Sequence, residues 1–116
     1  MMNIQNLISL IHVFIIVPFL LYCVSKGNSM SLYIKYALQI FGAFIILFHG
    51  YRILTNSFTF SVIRIINWIH LVIIGPLLIY IGYTAPNVGA KYYDSLAILA
   101  YAALIYHGYY LVKSYI

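Results

Sequence analysis

The segment Ile69–Gly82 reads Ile-His-Leu-Val-Ile-Ile-Gly-Pro-Leu-Leu-Ile-Tyr-Ile-Gly and contains no charged residue. It belongs to a longer apolar stretch, 62–83, whose length suits a helix that crosses a bilayer, since such a helix needs about 20 mostly apolar residues. Three further stretches have a similar length and composition, at 4–24, 31–54 and 92–113. The sequence therefore predicts four transmembrane helices.

The composition of the whole chain agrees with a membrane protein. Of its 116 residues, 66% are hydrophobic and 6% are charged, whereas soluble domains carry about 25% charged residues. A soluble fold of this size buries too little of its surface to hide so many apolar side chains. A transmembrane β-barrel would show alternating polarity, which runs such as Phe44–Phe48 lack. We therefore expect a multi-pass integral membrane protein whose main partner is the lipid bilayer.

The connections between the four stretches are short and rich in turn residues, at 25–29, 55–57 and 84–89. Short connections favour antiparallel neighbours. The predicted fold is thus all-α: an up-down-up-down bundle of four transmembrane helices that forms a single transmembrane domain over residues 1–116.

An offset of 58 residues relates the two halves of the chain. Ile11–Tyr22 shares seven identities with Ile69–Tyr80, among them a histidine and a proline, and His49-Gly50-Tyr51 returns as His107-Gly108-Tyr109. A fixed offset with shared motifs indicates an internal repeat. Because the offset covers two helices, both copies keep the same orientation, which makes the repeats parallel. They occupy about 4–56 and about 62–114, and indicate duplication of a two-helix ancestor.

The shared prolines, Pro18 and Pro76, lie six residues after a histidine and predict matched helix kinks, because proline removes a backbone hydrogen bond. The four histidines of the chain lie 37 residues apart within each repeat, at His12, His49, His70 and His107. With a rise of about 1.5 Å per residue, this spacing places all four within about 5 Å in membrane depth. The sequence predicts a layer of imidazoles inside the membrane, where an ionisable side chain indicates a functional site.

Small residues accompany one histidine of each repeat. Gly42 precedes His49 by seven residues, and Ala100 precedes His107 by seven. Seven residues are two helical turns, so each small residue shares a face with its histidine. Small residues let helices approach closely or leave room for a flat ligand.

Polar residues accompany the other two histidines. Ser9 and Asn67 lie three residues before His12 and His70. At that spacing we expect each polar side chain to orient the imidazole that follows it on the same helix, as hydrogen-bonded partners do around metal ligands.

The first functional hypothesis is a haem b site with a role in electron transfer, because neutral imidazole is a standard axial ligand of iron. Arg52 and Arg64 lie on the same side of the membrane as the histidines and would bind the propionates. The pattern is loosely similar to that of membrane b-type cytochromes, which place histidines and glycines on facing helices. One porphyrin would take its ligands from opposed helices, either His12 with His70 or His49 with His107.

Three alternatives remain open. The four imidazoles would also suit a zinc or copper ion, since Zn²⁺ takes four nitrogen or sulfur ligands. The chain would otherwise be a small channel or proton conductor, although no polar lumen is evident. In the third alternative, the chain is a structural membrane protein whose histidines only pack. It would act by itself, as a homo-oligomer or with other membrane subunits. Duplication would then be enough to explain the matching positions of the histidines.

The remaining chemistry argues against an enzyme. Asp94 is the only acidic residue, so no carboxylate pair exists, and the sequence has no phosphate-binding loop or nucleophile motif. The six basic residues are scattered singly and form no stripe for a phosphate backbone, which excludes nucleic acid as a partner.

The motif Ile69–Gly82, followed by Tyr106-His107-Gly108-Tyr109, resembles short membrane proteins encoded by giant (nucleocytoplasmic large) DNA viruses. The resemblance extends over both repeats. It implies a location in a virion or infected-cell membrane and carries no established activity with it.

Overall fold

The computed structural model describes residues 3–55 and 61–116. Helices account for 91% of these described residues, which confirms the all-α class. Four helices are long and apolar enough to cross a membrane: α1 (Ile4–Ser29), α2 (Leu32–Thr55), α3 (Val62–Thr84) and α4 (Ala90–Tyr115). The connection predicted at 55–57 and the end of the first repeat near residue 56 lie outside the described residues, apart from Thr55.

The helices α1 and α3 begin in the same way. The Asn3 side chain accepts a hydrogen bond from the backbone N–H of Asn6 at 2.8 Å, and Ser61 accepts one from the N–H of Arg64 at 3.3 Å. A polar side chain at this position satisfies one of the backbone donors that a helix leaves unpaired at its start. Asn3 and Ser61 are themselves 58 residues apart.

Each of these two helices also contains one π-helical turn, at His12–Ile16 in α1 and at His70–Ile74 in α3. The residue after each turn donates its backbone N–H to the histidine carbonyl five residues earlier. Pro18 and Pro76 follow one residue later. A proline has no N–H, and its ring clashes with the carbonyl four residues before it, so a wider turn relieves the conflict.

The chain divides into two compact units. Unit 1 joins the residues up to Gly27 with Gly89–Ile116, so it consists of α1 and α4. Unit 2 is Asn28–Val88 and consists of α2 and α3. Each unit therefore takes one helix from each half of the sequence. In unit 1, α1 corresponds to α3 by the 58-residue offset, and α4 corresponds to α2.

In unit 2 the two helices approach each other at glycines. A Cβ at Gly42 would lie 2.7 Å from the carbonyl oxygen of Gly75, and one at Gly82 would lie 2.6 Å from that of Lys35. Late residues of α3 therefore face early residues of α2, so the helices are antiparallel. These contacts are with backbone atoms, which yield little, so any larger residue at Gly42 or Gly82 would force the helices apart.

Unit 1 has larger side chains at the matching positions. Val17 stands where unit 2 has Gly75, and Ala100 stands where it has Gly42; both side chains are buried. The helices α1 and α4 are also antiparallel, because Gly27 lies near the Tyr93 ring at one end and Ser9 bonds His107 at the other. Side chains rather than backbone therefore fill this helix interface.

Candidate histidine site

In unit 2, His49 of α2 and His70 of α3 are stacked face to face. Their ring centroids are 4.1 Å apart, and the ring planes differ by 23°. His49 is buried, with 8% of its surface exposed, whereas His70 is half-buried. The antiparallel helices thus bring two imidazoles from opposite partners to one level.

Hydrogen bonds define the protonation of both rings. Asn67 donates its amide N–H to the carbonyl of Ile63 at 2.9 Å, so its Oδ1 points at Nδ1 of His49, 2.7 Å away. That oxygen only accepts, so Nδ1 of His49 carries the hydrogen. Nδ1 of His70 donates to the carbonyl of Ile66 at 2.7 Å. In each neutral ring, Nε2 therefore carries the lone pair.

Unit 1 contains the corresponding pair. The rings of His12 and His107 stack with centroids 3.9 Å apart and planes 21° apart. Nδ1 of His12 donates to the carbonyl of Ile8 at 2.8 Å. Nδ1 of His107 lies 3.0 Å from the hydroxyl of Ser9. Because a hydroxyl both donates and accepts, this bond permits either tautomer of His107.

The sequence-based assignment of the two polar partners is wrong in one respect. Ser9 and Asn67 were expected to orient the histidines of their own helix, His12 and His70, but each bonds the histidine of the opposite helix. The reason is local: Nδ1 of His12 and of His70 is bonded to a carbonyl one turn earlier. The serine and asparagine therefore link the helices of each unit.

Stacking restricts what each pair can bind. Two rings in face-to-face contact leave no space for a porphyrin between them, so the two members of one pair do not ligate opposite faces of one haem. The axial pairs expected from the sequence join histidines of different units and stay predictions. Over residues 3–55 and 61–116, no group of three or more His, Cys, Asp or Glu residues could hold a metal ion. The four-histidine metal site also stays a prediction.

The arginines expected near the histidines both belong to unit 2 and are half-buried. The Arg52 guanidinium lies 5.9 Å from the centre of the Phe48 ring. That ring meets His49 edge-on, with centroids 5.1 Å apart. Arg64 lies in the first turn of α3. These cations therefore lie on both helices of unit 2, toward the end that the histidine pair occupies.

Unit 1 has tyrosines in this region instead. Tyr106 meets the ring of His107 edge-on at 5.0 Å, and Tyr110 meets Tyr106 at 5.0 Å. Our reading of the sequence did not assign these tyrosines to the site. The 58-residue alignment contains the signal, because it places Tyr106 opposite Phe48 and Tyr110 opposite Arg52.

The polar groups of the site make hydrogen bonds within their own units. In the part of the chain that the structure describes, every buried side-chain nitrogen and oxygen has a hydrogen-bond partner. An unpaired polar group in an apolar environment costs several kcal/mol on alkane transfer scales, about 4–8, so these bonds stabilise the helix pairs. Comparison of the chain with family models, curated proteins and solved structures finds no match.

Proposed function

We propose that this chain is a multi-pass membrane protein that binds haem b through an intramembrane histidine and carries electrons. Its four helices form an up-down-up-down bundle made of two parallel two-helix repeats. Three matched features support the repeat: the polar helix caps, the π-turns and the stacked imidazole pairs, each related by 58 residues.

The single observation that carries the haem proposal is the hydrogen bonding at Nδ1. His12 and His70 donate from Nδ1 to carbonyl oxygens, and His49 donates to an amide oxygen. Histidines that ligate metals almost always donate their other ring N–H in this way, which orients the ring and makes the ligating nitrogen more basic. Nε2 is then the nitrogen that binds iron.

Haem suits these pairs better than a bare metal ion. The lone pair of each Nε2 lies in the plane of its ring, and the two stacked rings are nearly parallel, so the lone pairs of one pair do not converge on a point. A tetrahedral metal ion requires donors that converge. A haem iron already has four porphyrin nitrogens and needs one imidazole on a face. With a single acid in the chain, a carboxylate pair for acid–base catalysis is impossible, and electron transfer is the role that we propose for the haem.

The test is a haem titration of the full chain in detergent. We expect haemin to give a saturable Soret band that shifts on reduction, and we expect the band to be lost when all four histidines are replaced by phenylalanine. Metal analysis of the purified protein reports zinc or copper in parallel. If the wild-type chain gives no saturable band with ample haemin, the haem proposal is wrong.

A structural role is the second candidate, and the complete hydrogen bonding of the pairs favours it. In this case the histidines would fasten α1 to α4 and α2 to α3, and the protein would serve in a virion or infected-cell membrane, as the viral resemblance implies. The same titration separates the candidates, because a structural protein whose histidines only pack would lose thermal stability without them but bind no haem.

A further inference from the structure

The two stacked pairs have the same geometry but different surroundings. They differ at three positions near the pair. At two of them unit 2 has an arginine where unit 1 has an uncharged residue. At the third, unit 2 has an asparagine that fixes the tautomer of a histidine, where unit 1 has a serine that permits either tautomer. Asn67, Arg52 and Arg64 of unit 2 stand at the positions of Ser9, Tyr110 and Asn6 in unit 1. These three differences distinguish the surroundings of the two pairs.

Charge is the first difference that matters for haem, whose two propionates are anionic. Arg52 follows His49 by three residues and Arg64 precedes His70 by six. At about 1.5 Å per residue, the arginines lie about 4.5 and 9 Å beyond the imidazoles along their helices. Because the helices are antiparallel, both displacements are toward the same end of unit 2. Arginine forms strong, often bidentate bonds with carboxylates.

Protonation is the second difference. In unit 2 both rings donate from Nδ1 to oxygens that only accept, so both Nε2 atoms are basic in the neutral state. In unit 1, the serine hydroxyl lets His107 take the tautomer that has its hydrogen on Nε2. His12 and His70 are alike in this respect, since each donates from Nδ1 to a carbonyl. The units differ in the partner ring, which has one fixed tautomer in unit 2 only.

The two rings of unit 2 also differ from each other. His49 is buried, bonded to Asn67 and in edge contact with Phe48. His70 is half-buried and begins the π-turn of α3, with its Nδ1 held by the carbonyl of Ile66 in its own helix. Of the two, His70 is the more accessible to an iron, and His49 is the more rigidly placed.

We propose that haem b binds to unit 2, with Nε2 of His70 as an axial ligand and with Arg52 and Arg64 paired to the propionates. His49 is a positioning residue, which stacks on the ligand ring. Unit 1 keeps the ancestral geometry and binds no haem through its own pair. This inference rests on the proposed haem function, and it assigns that function to one of two matched units.

The matched substitutions His70→Ala and His12→Ala test the assignment in the full detergent-purified chain. We expect His70→Ala to weaken haemin binding at least about tenfold, equivalent to about 1.4 kcal/mol, and added imidazole to restore the wild-type spectrum. We expect His12→Ala to keep the wild-type spectrum and affinity. Equal loss in both variants, loss in His12→Ala alone, or retention in both would overturn the assignment. If the wild-type chain binds no haemin, the proposed function itself fails.

The arginines are tested with two ligands. Arg52→Gln and Arg64→Gln should weaken the binding of haemin but not of haemin dimethyl ester, which has no free carboxylates. Lys113→Gln is the control, since Lys113 lies in unit 1 over the ring of Tyr109. Equal weakening with both ligands would show that the arginines do not pair with the propionates.

The role of His49 is tested by His49→Phe, which keeps an aromatic ring against His70. We expect haemin still to bind, with a shifted ferric electron paramagnetic resonance spectrum, because the ligand ring loses its fixed neighbour. Loss of the wild-type haem spectrum with recovery on added imidazole would instead identify His49 as the ligand. An unshifted spectrum would show that His49 does not position the ligand ring.

Discussion

Units 1 and 2 share the arrangement of their two helices and their stacked histidines, and differ in the side chains around the histidines. In both, a π-turn begins at a histidine, and that imidazole stacks on one from the antiparallel partner. Around this common pair, unit 2 carries Asn67 and two arginines, whereas unit 1 carries Ser9 and tyrosines. The comparison teaches that a geometry shared by both units is weak support for function. Differences between the copies are the more informative guide.

The helix interfaces differ as well. In unit 2, Gly42 lies against the backbone of Gly75, while in unit 1 the matching Ala100 and Val17 are larger and buried. A membrane helix interface is stabilised mainly by close packing, because lipid is as apolar as the side chains. The helix packing of unit 2 therefore depends on glycine at the positions where the packing of unit 1 uses the larger Ala100 and Val17.

The largest effect is expected from Gly42→Ala, which gives unit 2 the residue that unit 1 has. The new Cβ would meet the Gly75 carbonyl at 2.7 Å, so we expect a loss of about 1–3 kcal/mol, as for overpacked cores. Thermal unfolding in detergent measures it. Gly108→Ala is the control, because its Cβ would meet nothing within 4 Å, and it should stabilise the helix by up to about 1 kcal/mol. Equal stabilities of the two variants would contradict the difference in packing.

A smaller effect is expected from removing the polar bridges. Asn67→Ala leaves the buried Nδ1–H of His49 without its acceptor, which we expect to cost about 1–2 kcal/mol, the lower part of the range for an unsatisfied buried donor. Ser9→Ala should cost less, because the bond from Ser9 to His107 is longer, at 3.0 Å, than the 2.7 Å bond from Asn67 to His49. Thermal unfolding compares the variants, and ¹⁵N NMR of the imidazoles reports the tautomers. We expect His49 in the wild type to show one tautomer with hydrogen on Nδ1; a mixture there would remove the proposed distinction between the units.

The smallest effect is expected at the prolines, where the units are alike. Pro18→Ala and Pro76→Ala each supply a backbone N–H that can bond to a carbonyl one turn earlier. We expect each to raise the free energy of unfolding by about 0.5–1.5 kcal/mol, the typical value of one hydrogen bond. The two gains should be equal, as measured by denaturant unfolding. A gain in one unit only would mean that the two π-turns have different causes.

Much of the fold follows from the sequence, because apolar length alone decides which segments cross a bilayer. The predicted α2 and α3 lie within one residue of the observed bounds at each end. At the end of α1, residues 25–29 were assigned to a connection, but the α-helical part of α1 continues to Lys26, and a 3₁₀ turn over Gly27–Ser29 completes the helix. A span helix can extend into the interface, where hydropathy gives no signal.

The site was less predictable. Periodicity placed His49 and His107 on faces with Gly42 and Ala100, and all four residues are buried. The partners of Ser9 and Asn67 could not be derived, because they depend on which helices pair. Short connections favour neighbours along the chain, yet α1 pairs with α4. Ring stacking likewise depends on side-chain contacts between helices, which repeat spacing does not describe.

The pairing of α1 with α4 has a consequence for biosynthesis. Unit 2 can close as soon as α3 has entered the membrane after α2, whereas α1 must wait until α4 has also been inserted. During this interval Ser9 has no imidazole across from it, and a polar group facing hydrocarbon is costly. A nascent chain interrupted before α4 would thus expose a recognisable defect in its first helix.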